Sequence, residues 1–318
     1  MKGRFNSSGI RFKALLAYGV LGLVAGSIFA TPPLLSAAQS TSDHVLSSKD
    51  SAPVVPSPDL TGMDEAVQQQ LREAQSRLAT ARQKPGVTKR ELGNAYGFLG
   101  KLYQAYGLEA AAVNCYQYAH ALDAGEFRWP YYLGLIYRNQ GQIEKAAACF
   151  AKAVNLRPDD QLALLRLADA DLKLNRHQDA KVIYEQVLTR NKSSVPALVG
   201  LGKSALAERD FARAVECFNQ VMHADPHASY VEYPLAMAYR GLGDFKQAQD
   251  HLAKQGPGAP SVPDVLIEEL ERLKTGRADL WSKGYEAVSQ GRFVEGADAL
   301  RKVVALKPED PIARTYLG

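Results

Sequence analysis

A pattern that recurs every 34 residues is the feature of this sequence that most limits its fold. It holds over five consecutive units without an insertion. A leucine column consists of Leu99, Leu133, Leu167, Leu201 and Leu235, and a small-residue column follows it with Gly100, Gly134, Ala168, Gly202 and Ala236. A strict period of this length indicates one supersecondary element per unit, each stacked on the next. The chain is therefore predicted to be a solenoid.

Three further columns predict what one unit looks like. A turn column consists of Gly107, Gly141, Asn175, Arg209 and Gly243. An alanine column consists of Ala112, Ala146, Ala180, Ala214 and Ala248. A column of large apolar residues closes each unit with Tyr116, Phe150, Tyr184, Phe218 and Leu252. The turn residue would end one helix in a left-handed conformation, and the alanine and the large residue would pack a second helix against the first.

A sixth unit follows out of phase. Gly284, Gly291 and Leu300 repeat the columns, but Gly291 follows Gly243 by 48 residues rather than 34, so 14 residues are inserted. The Gly/Pro-rich start of this insertion predicts a break in the array, and 263–276 predicts one added helix. This helix could bend the superhelix or cover part of its groove, and the sequence allows both.

Together these columns resemble the tetratricopeptide repeat (TPR) family over roughly 93–308, and the chain is similar to exported bacterial members. The resemblance implies an all-α fold, a right-handed α-solenoid of TPR units whose first helices line a concave face. The predicted organisation runs as follows: a leader at 1–38, a spacer at 39–62, a capping helix at 63–84, five TPR units at 93–262, the inserted helix at 263–276, a sixth unit at 277–310 and the start of a further helix at 311–318.

The amino-terminal segment predicts export. Four cations, at positions 2, 4, 11 and 13, precede the apolar run 14–30, and Ser36-Ala37-Ala38 follows it. This order is typical of a signal peptide, and 17 apolar residues are also at the short limit for an uncleaved membrane anchor. Both alternatives place the remainder in the periplasm, either free or held at the inner membrane. Because 39–62 is rich in Ser, Pro, Thr and Asp, it predicts a flexible spacer.

Charge and motifs give no support to several function classes. The formal net charge of +4 equals the four leader cations, so the rest is neutral and no nucleic-acid partner is expected. GLGKS at 200–204 resembles the end of a phosphate loop but falls within a repeat helix, which favours packing. His223 and His227 flank Pro226 without further ligands. We predict no catalytic, cofactor-binding or metal-binding residues.

By the resemblance, first-helix residues outside the columns face a partner-binding groove. These residues are basic or aromatic: Lys101, Arg128, Tyr131, Tyr132, Arg138, Arg166, Lys173, Lys203, Tyr233 and Arg240. Arginines pair with carboxylates and tyrosines offer rigid contact area, so the expected partner is a protein or peptide with acidic and apolar side chains. The alternative is an ordinary solvated helix face. Gly97 and Lys101 replace the first two clamp residues of chaperone-binding members, so chaperone-tail binding is not expected.

The expected function is that of a non-enzymatic scaffold that helps to assemble an envelope or respiratory complex. One alternative is a TPR component of polysaccharide-export or secretion machinery. Another is the regulatory part of a longer enzyme that continues past Gly318.

Overall fold

The computed structural model describes residues 55–258, 260, 262–306, 308 and 314–315. In this part of the chain the regular structure is helical, apart from a short 3-10 turn at Ser229–Val231. The α-helices are α1 (Glu65–Gln83), α2 (Lys89–Ala105), α3 (Glu109–Leu122), α4 (Arg128–Asn139), α5 (Ile143–Leu156), α6 (Gln161–Lys173), α7 (His177–Arg190), α8 (Val195–Ala207), α9 (Phe211–Ala224), α10 (Glu232–Gly241), α11 (Phe245–Leu252), α12 (Val265–Arg272), α13 (Gly276–Ser289) and α14 (Phe293–Leu306). The predicted all-α solenoid is confirmed.

The helices pair as the repeat columns predict. Five units are α2–α3, α4–α5, α6–α7, α8–α9 and α10–α11, and α13–α14 form a sixth pair. The turn column is left-handed throughout, including Asn175 at a φ of 59° and Arg209 at 63°. Position in the repeat thus determines this backbone conformation even where the residue is not glycine.

The small-residue column makes room for the large column of the same unit. A Cβ built on Gly134 would lie 2.6 Å from the Phe150 ring, and one on Gly202 would lie 2.5 Å from the Phe218 ring. Tyr116, Phe150, Tyr184 and Phe218 are fully buried. Leu252 differs from the other members of its column and is 36% exposed, because α11 ends there and the chain leaves the stack.

A close contact between neighbouring units leads to a stability prediction at Gly97. A Cβ on Gly97 of α2 would lie 2.1 Å from the buried Trp129 ring of the next unit. Gly97→Ala should therefore lower the free energy of unfolding by about 1–3 kcal/mol through overpacking. This loss opposes the gain of about 1 kcal/mol expected from helix propensity alone. Urea unfolding monitored by circular dichroism measures the difference.

The control for Gly97→Ala is the same substitution in a Trp129→Leu background. Without the indole ring, alanine gains the helix propensity and meets no obstacle, so the substitution should become neutral or stabilising there. Equal destabilisation in both backgrounds would show that the ring contact is not the cause.

The amino-terminal end of the described chain covers the first unit. α1 buries Val67, Leu71, Ala74 and Leu78, where a capping helix at 63–84 was predicted. The predicted leader lies outside the described residues, and the predicted spacer overlaps them only at 55–62. There Val55 and Leu60 are half-buried against the core, so this end of the spacer is packed and not free.

After the fifth unit, the insertion turns the chain back toward the amino-terminal helix. The backbone N–H of Gly256 donates to Ser229 O at 3.1 Å, beside the fifth unit. Further along, α12 packs against α2, and Gln70 of α1 donates to Leu273 O at 2.9 Å. The backbone N–H of Arg277 then donates to Asp64 at the start of α1, at 3.0 Å. The sixth pair therefore lies beside the amino-terminal helix. Of the two alternatives for the inserted helix, the structure has the one that covers the groove.

Candidate partner-binding groove

The first helices of the repeats are α2, α4, α6, α8 and α10, and the TPR resemblance places their residues along a groove. Residues 262–275, which we call the inserted segment, lie in its amino-terminal half. The segment contains α12, predicted at 263–276 and observed at Val265–Arg272. It brings an acidic residue to each of two clusters of predicted groove residues.

The first cluster surrounds Asp264, whose side chain is only 3% exposed. One carboxylate oxygen accepts from the Tyr131 hydroxyl at 2.6 Å and from Arg166 Nη2 at 3.0 Å. The other oxygen caps α12 by accepting from the backbone N–H groups of Leu266 and Ile267. Burial raises the pKa of Tyr131, and the bond to Asp264 raises it further. The buried carboxylate of Asp264 thus accepts hydrogen bonds from a hydroxyl group, a guanidinium group and two backbone N–H groups, which compensate for its loss of hydration.

The second cluster surrounds Glu269, five residues further along the segment. Its carboxylate accepts from Lys101 Nζ at 2.6 Å and from the Tyr132 hydroxyl at 2.7 Å. Burial opposes ionisation of Glu269, but these two hydrogen bonds and the positive charges of Lys101 and Arg128 together outweigh it and lower the pKa of the carboxyl group. The Lys101 side chain is 11% exposed and depends on Glu269 for its neutralisation.

Apolar and backbone contacts hold the segment between and beyond these clusters. Leu270 is 6% exposed and belongs to the core of the first units, against which Leu266, Ile267 and Leu273 also pack. At the carboxyl end of the segment, Thr275 N–H donates to the Tyr106 hydroxyl at 2.8 Å. The inserted segment therefore carries both kinds of side chain that are expected of a partner, acidic and apolar.

The next part of the groove holds a cavity of about 480 Å³ with a cationic lining. Four of its lining residues are cations: Arg138, Arg166, Lys173 and Lys203. Asp169 is its one acidic lining residue among those described, and its carboxylate accepts from the Tyr184 hydroxyl at 2.6 Å. We call this cavity the cationic pocket. Counted with Asp264, which pairs with Arg166 from just outside the lining, four cations less two carboxylates leave an excess of two positive charges here.

Three of these cations have no ion pair within the described residues. Arg138 donates only to Asn139 Oδ1, at 3.3 Å, and its pKa is lowered by burial and by the nearby Arg166. Lys173 and Lys203 are exposed at the carboxyl end of α6 and within α8, respectively. The inserted segment lines this pocket only with Val262 and neutralises one of its cations, Arg166, through Asp264, so it leaves the other three cations without a carboxylate partner.

The other predicted groove residues lie elsewhere. Arg128 pairs with the neighbouring Glu126 at 2.8 Å and lies over the Trp129 ring. Tyr233 and Arg240 are exposed on α10. The predicted set thus divides into four residues that bind the inserted segment, three free cations of the pocket, and three that belong to neither group.

Asp264 and Glu269 were not predicted as groove ligands. The available signal was their spacing beside Leu266, Leu270 and Leu273, which puts acidic and apolar groups on one short helix. This is the chemistry that the groove itself predicts for a partner. The Gly/Pro-rich sequence ahead of the helix indicates a break in the repeat array before this segment.

Motifs that suggested other chemistry have packing explanations where the structure describes them. Gly200 of GLGKS lies within α8 against the Tyr184 ring, not in a phosphate loop. Cys115 is a buried free thiol whose pKa burial raises to about 12. Among the described residues, no group of His, Cys, Asp and Glu could hold a metal ion. In the same part of the chain, no helix combines the length and apolar character needed to cross a bilayer.

Comparison with known proteins finds relatives at low identity, and several of them are named as tetratricopeptide repeat proteins. Superkiller protein 3 of Saccharomyces cerevisiae is 22% identical over 233 residues, which cover 70% of this chain and 16% of that protein. The protein O-mannosyl-transferase Tmtc3 of Drosophila melanogaster is 28% identical over 96 residues, which cover 30% of this chain and 10% of that protein. This chain thus spans less than a fifth of the length of these curated relatives.

Solved structures with a similar fold include MamA, YrrB and a tetratricopeptide repeat protein of Parabacteroides merdae. MamA is 20% identical, with a TM-score of 0.49 over 51% of this chain and 88% of that one. YrrB, described as a TPR protein with an unusual peptide-binding site, is 20% identical, with a TM-score of 0.47 over 50% of this chain and 82% of that one. A TPR protein of Parabacteroides merdae is 16% identical, with a TM-score of 0.48 over 80% of this chain and 98% of that one.

The family-level match covers most of the array. The model of the Protein kinase G tetratricopeptide repeat matches residues 45–238, about three fifths of the chain. Proteins built from TPR units are generally non-enzymatic scaffolds that mediate protein–protein interaction. By this match and by its helical repeats, the chain belongs to the Protein kinase G tetratricopeptide repeat family.

Proposed function

We propose that this chain is a non-enzymatic scaffold whose groove binds an acidic, partly apolar peptide of a partner protein. The observation that carries the proposal is the cationic pocket, where Arg138, Lys173 and Lys203 stand beside Arg166 without carboxylates of their own. Like charges held close together in a partly buried site repel each other, and an entering anion relieves that repulsion. Arginine in such a place favours a carboxylate or a phosphate.

Several features favour a peptide as the source of that anion. The pocket wall also contains apolar surface from Pro196, Val199 and Val262, which suits a side-chain-bearing ligand. The pocket continues into the part of the groove that already holds an acidic helix by its carboxylates and leucines. Nucleic acid is disfavoured, because the chain outside the leader is formally neutral.

The proposed cellular role is the assembly of an envelope or respiratory complex at the outer face of an inner membrane. The support is the order of cations, apolar run and small residues in 1–38, followed by a Ser/Pro-rich stretch. A scaffold placed there would hold its partner beside the membrane. Polysaccharide-export or secretion machinery is the variant of this role in which the partner is a transport component.

The second candidate is the repeat-containing part of a longer enzyme. It is favoured by the short share of each curated relative that this chain covers, and by one relative that is a transferase. Sequencing the gene beyond codon 318 separates the two candidates, since an in-frame catalytic domain would support the second.

Crosslinking capture from the native envelope tests the scaffold proposal. The bait is the wild-type chain beside Arg138→Ala/Lys173→Ala/Lys203→Ala, and quantitative mass spectrometry reads the captured proteins. The control bait removes three exposed lysines outside the groove, Lys152→Ala/Lys192→Ala/Lys246→Ala, with the same change in charge. A partner retained by the control and lost from the pocket variant is expected. Equal capture by all three baits would move the binding surface away from the groove.

A further inference from the structure

We propose that the inserted segment is a built-in competitor for the partner, and that the partner is an acidic amphipathic helix that displaces it. This inference rests on the proposed function, because it takes the groove as the partner's binding site. The inference adds the order of acidic and apolar residues that the partner carries. It also adds that the partner binds only by displacing the inserted segment.

The groove contacts of the segment define the partner's pattern. A carboxylate at the helix start binds Tyr131 and Arg166, and a second carboxylate five residues later binds Lys101 and Tyr132. Leucine or isoleucine side chains follow each carboxylate and enter the core of the first units. In this sequence the pattern reads DVLIEEL, residues 264–270. A helix that presents the same groups on one face would make the same contacts.

The segment is suited to leave the groove because little else holds it in helical form. α12 has only eight residues, well below the length at which an isolated helix is stable in water. The groove contacts therefore supply the stability of α12. Its outer face is open to solvent, with Val265 63% exposed and Glu268 also exposed. The stretch before it, 253–264, has no helix in its described residues and contains Pro257, Pro260 and Pro263.

Its tether nevertheless makes the segment an effective competitor. A ligand joined to its site by a short flexible connection acts at an effective concentration in the millimolar range. A free peptide with only the same contacts must compete against that concentration, so its apparent dissociation constant equals the intrinsic one divided by the fraction of chains whose groove is open. Any partner that succeeds must therefore gain a contact that the segment lacks.

The cationic pocket supplies that missing contact. It lies directly beyond the start of α12, and the segment offers it the apolar Val262 and, from the connection before the segment, Pro260. An acidic residue two to four positions before the first carboxylate of a partner helix would reach Arg138, Lys173 and Lys203. The partner thus differs from the segment by carrying additional acids at its amino-terminal side, and this difference drives the exchange.

Fluorescence anisotropy with labelled synthetic peptides tests the competition. The first peptide is residues 260–275 of this chain, and the second is the same peptide with Pro260→Glu and Val262→Glu. Each is titrated with the full-length wild-type chain and with the Asp264→Asn/Glu269→Gln chain, in which the internal contacts are weakened. We expect the first peptide to bind the weakened chain at least about tenfold more tightly than the wild type. We expect the second peptide to bind the wild type at least about tenfold more tightly than the first.

A matched control removes two acids of the same helix that pair with Arg272, Lys274 and Ser282 and not with groove residues. Glu268→Gln/Glu271→Gln makes the same change in charge without touching the groove, and it should bind the first peptide as the wild type does. Hydrogen exchange of residues 265–272 is a second measurement on the same proteins. Protection there should fall in Asp264→Asn/Glu269→Gln and on adding the second peptide, while α5 and α7 stay protected, which also shows that the variant is folded.

The outcomes separate this inference from the proposed function. Equal affinity of the first peptide for the wild-type and weakened chains would overturn the proposal that the inserted segment competes with the partner. Binding of a partner in the groove would remain supported. If neither peptide bound any chain while native capture still depended on the cationic pocket, the helix pattern would be wrong and the scaffold right. The second peptide should fail to bind Arg138→Ala/Lys173→Ala/Lys203→Ala. That result would show that the displacing peptide and the native partner use the same cationic pocket.

Discussion

Replacing Arg166 by methionine is expected to release α12 from the groove while the five repeat units remain folded. Asp264 is 3% exposed, and without the guanidinium it keeps only the Tyr131 hydroxyl and two backbone donors. Removing one partner of a buried ion pair costs about 3 kcal/mol or more, because the remaining charge stays desolvated. The segment can avoid this cost by opening to water, since α12 depends on the groove. Amide hydrogen exchange should therefore rise at 265–273 and not in α5 or α7.

Arg138→Met is the matched control for Arg166→Met. Arg138 lines the same pocket but has no carboxylate partner within the described residues. Its removal leaves no acid unpaired and relieves the repulsion on Arg166, so α12 should stay protected or become slightly more so. Release of α12 by both substitutions would mean that the general charge of the groove, and not the pair with Asp264, holds the segment.

Replacing Phe150 by alanine should lower the free energy of unfolding by about 3–5 kcal/mol. Phe150 is fully buried, its ring lies over Gly134, and Tyr131 packs against its edge with ring centroids 5.7 Å apart. Because it joins α5 to α4, its loss leaves a cavity inside one unit that the neighbouring units cannot fill. Chemical denaturation monitored by circular dichroism measures the change.

Leu252→Ala provides the comparison within the same repeat column. Leu252 is 36% exposed at the end of α11, so truncating it should cost no more than about 1 kcal/mol. Similar losses for Phe150→Ala and Leu252→Ala would contradict the burial that distinguishes the interior units from the fifth.

The repeat period predicted the stack of helix pairs, because each unit depends on its own columns and on its nearest neighbours. Arg209 illustrates the strength of this signal. Nothing about arginine predicts a left-handed backbone, yet its place in the turn column does, and its φ is 63°. The repeat columns alone are therefore enough to predict the backbone conformation at the turns and the pairing of neighbouring helices.

The position of the inserted helix could not be predicted in the same way. Lys101 and Glu269 meet across 168 residues of sequence. No period links them, so only their complementary chemistry indicates a contact. The cations and tyrosines of the groove predicted an acidic, apolar ligand, but nothing in their spacing distinguished a partner protein from the chain's own segment. Glu269 would have been found by searching the chain itself for that ligand.

The burial of the groove residues also follows from this contact. Tyr131 and Tyr132 were predicted to present rings to a partner, and both are fully buried in the folded chain. Their hydroxyl groups are already used by Asp264 and Glu269. An external ligand can therefore reach these two tyrosines only after α12 moves, whereas Lys173 and Lys203 are accessible at once.

A double-mutant cycle between Lys101 and Glu269 tests most directly whether α12 occupies the groove. Lys101→Met, Glu269→Gln and the double variant would be compared with the wild type by the free energy of opening of α12, measured by native-state hydrogen exchange. Direct contact at 2.6 Å predicts a coupling energy of at least about 1 kcal/mol. A coupling energy of zero, with the two single effects simply adding, would show that Lys101 and Glu269 do not interact and that α12 does not lie in the groove.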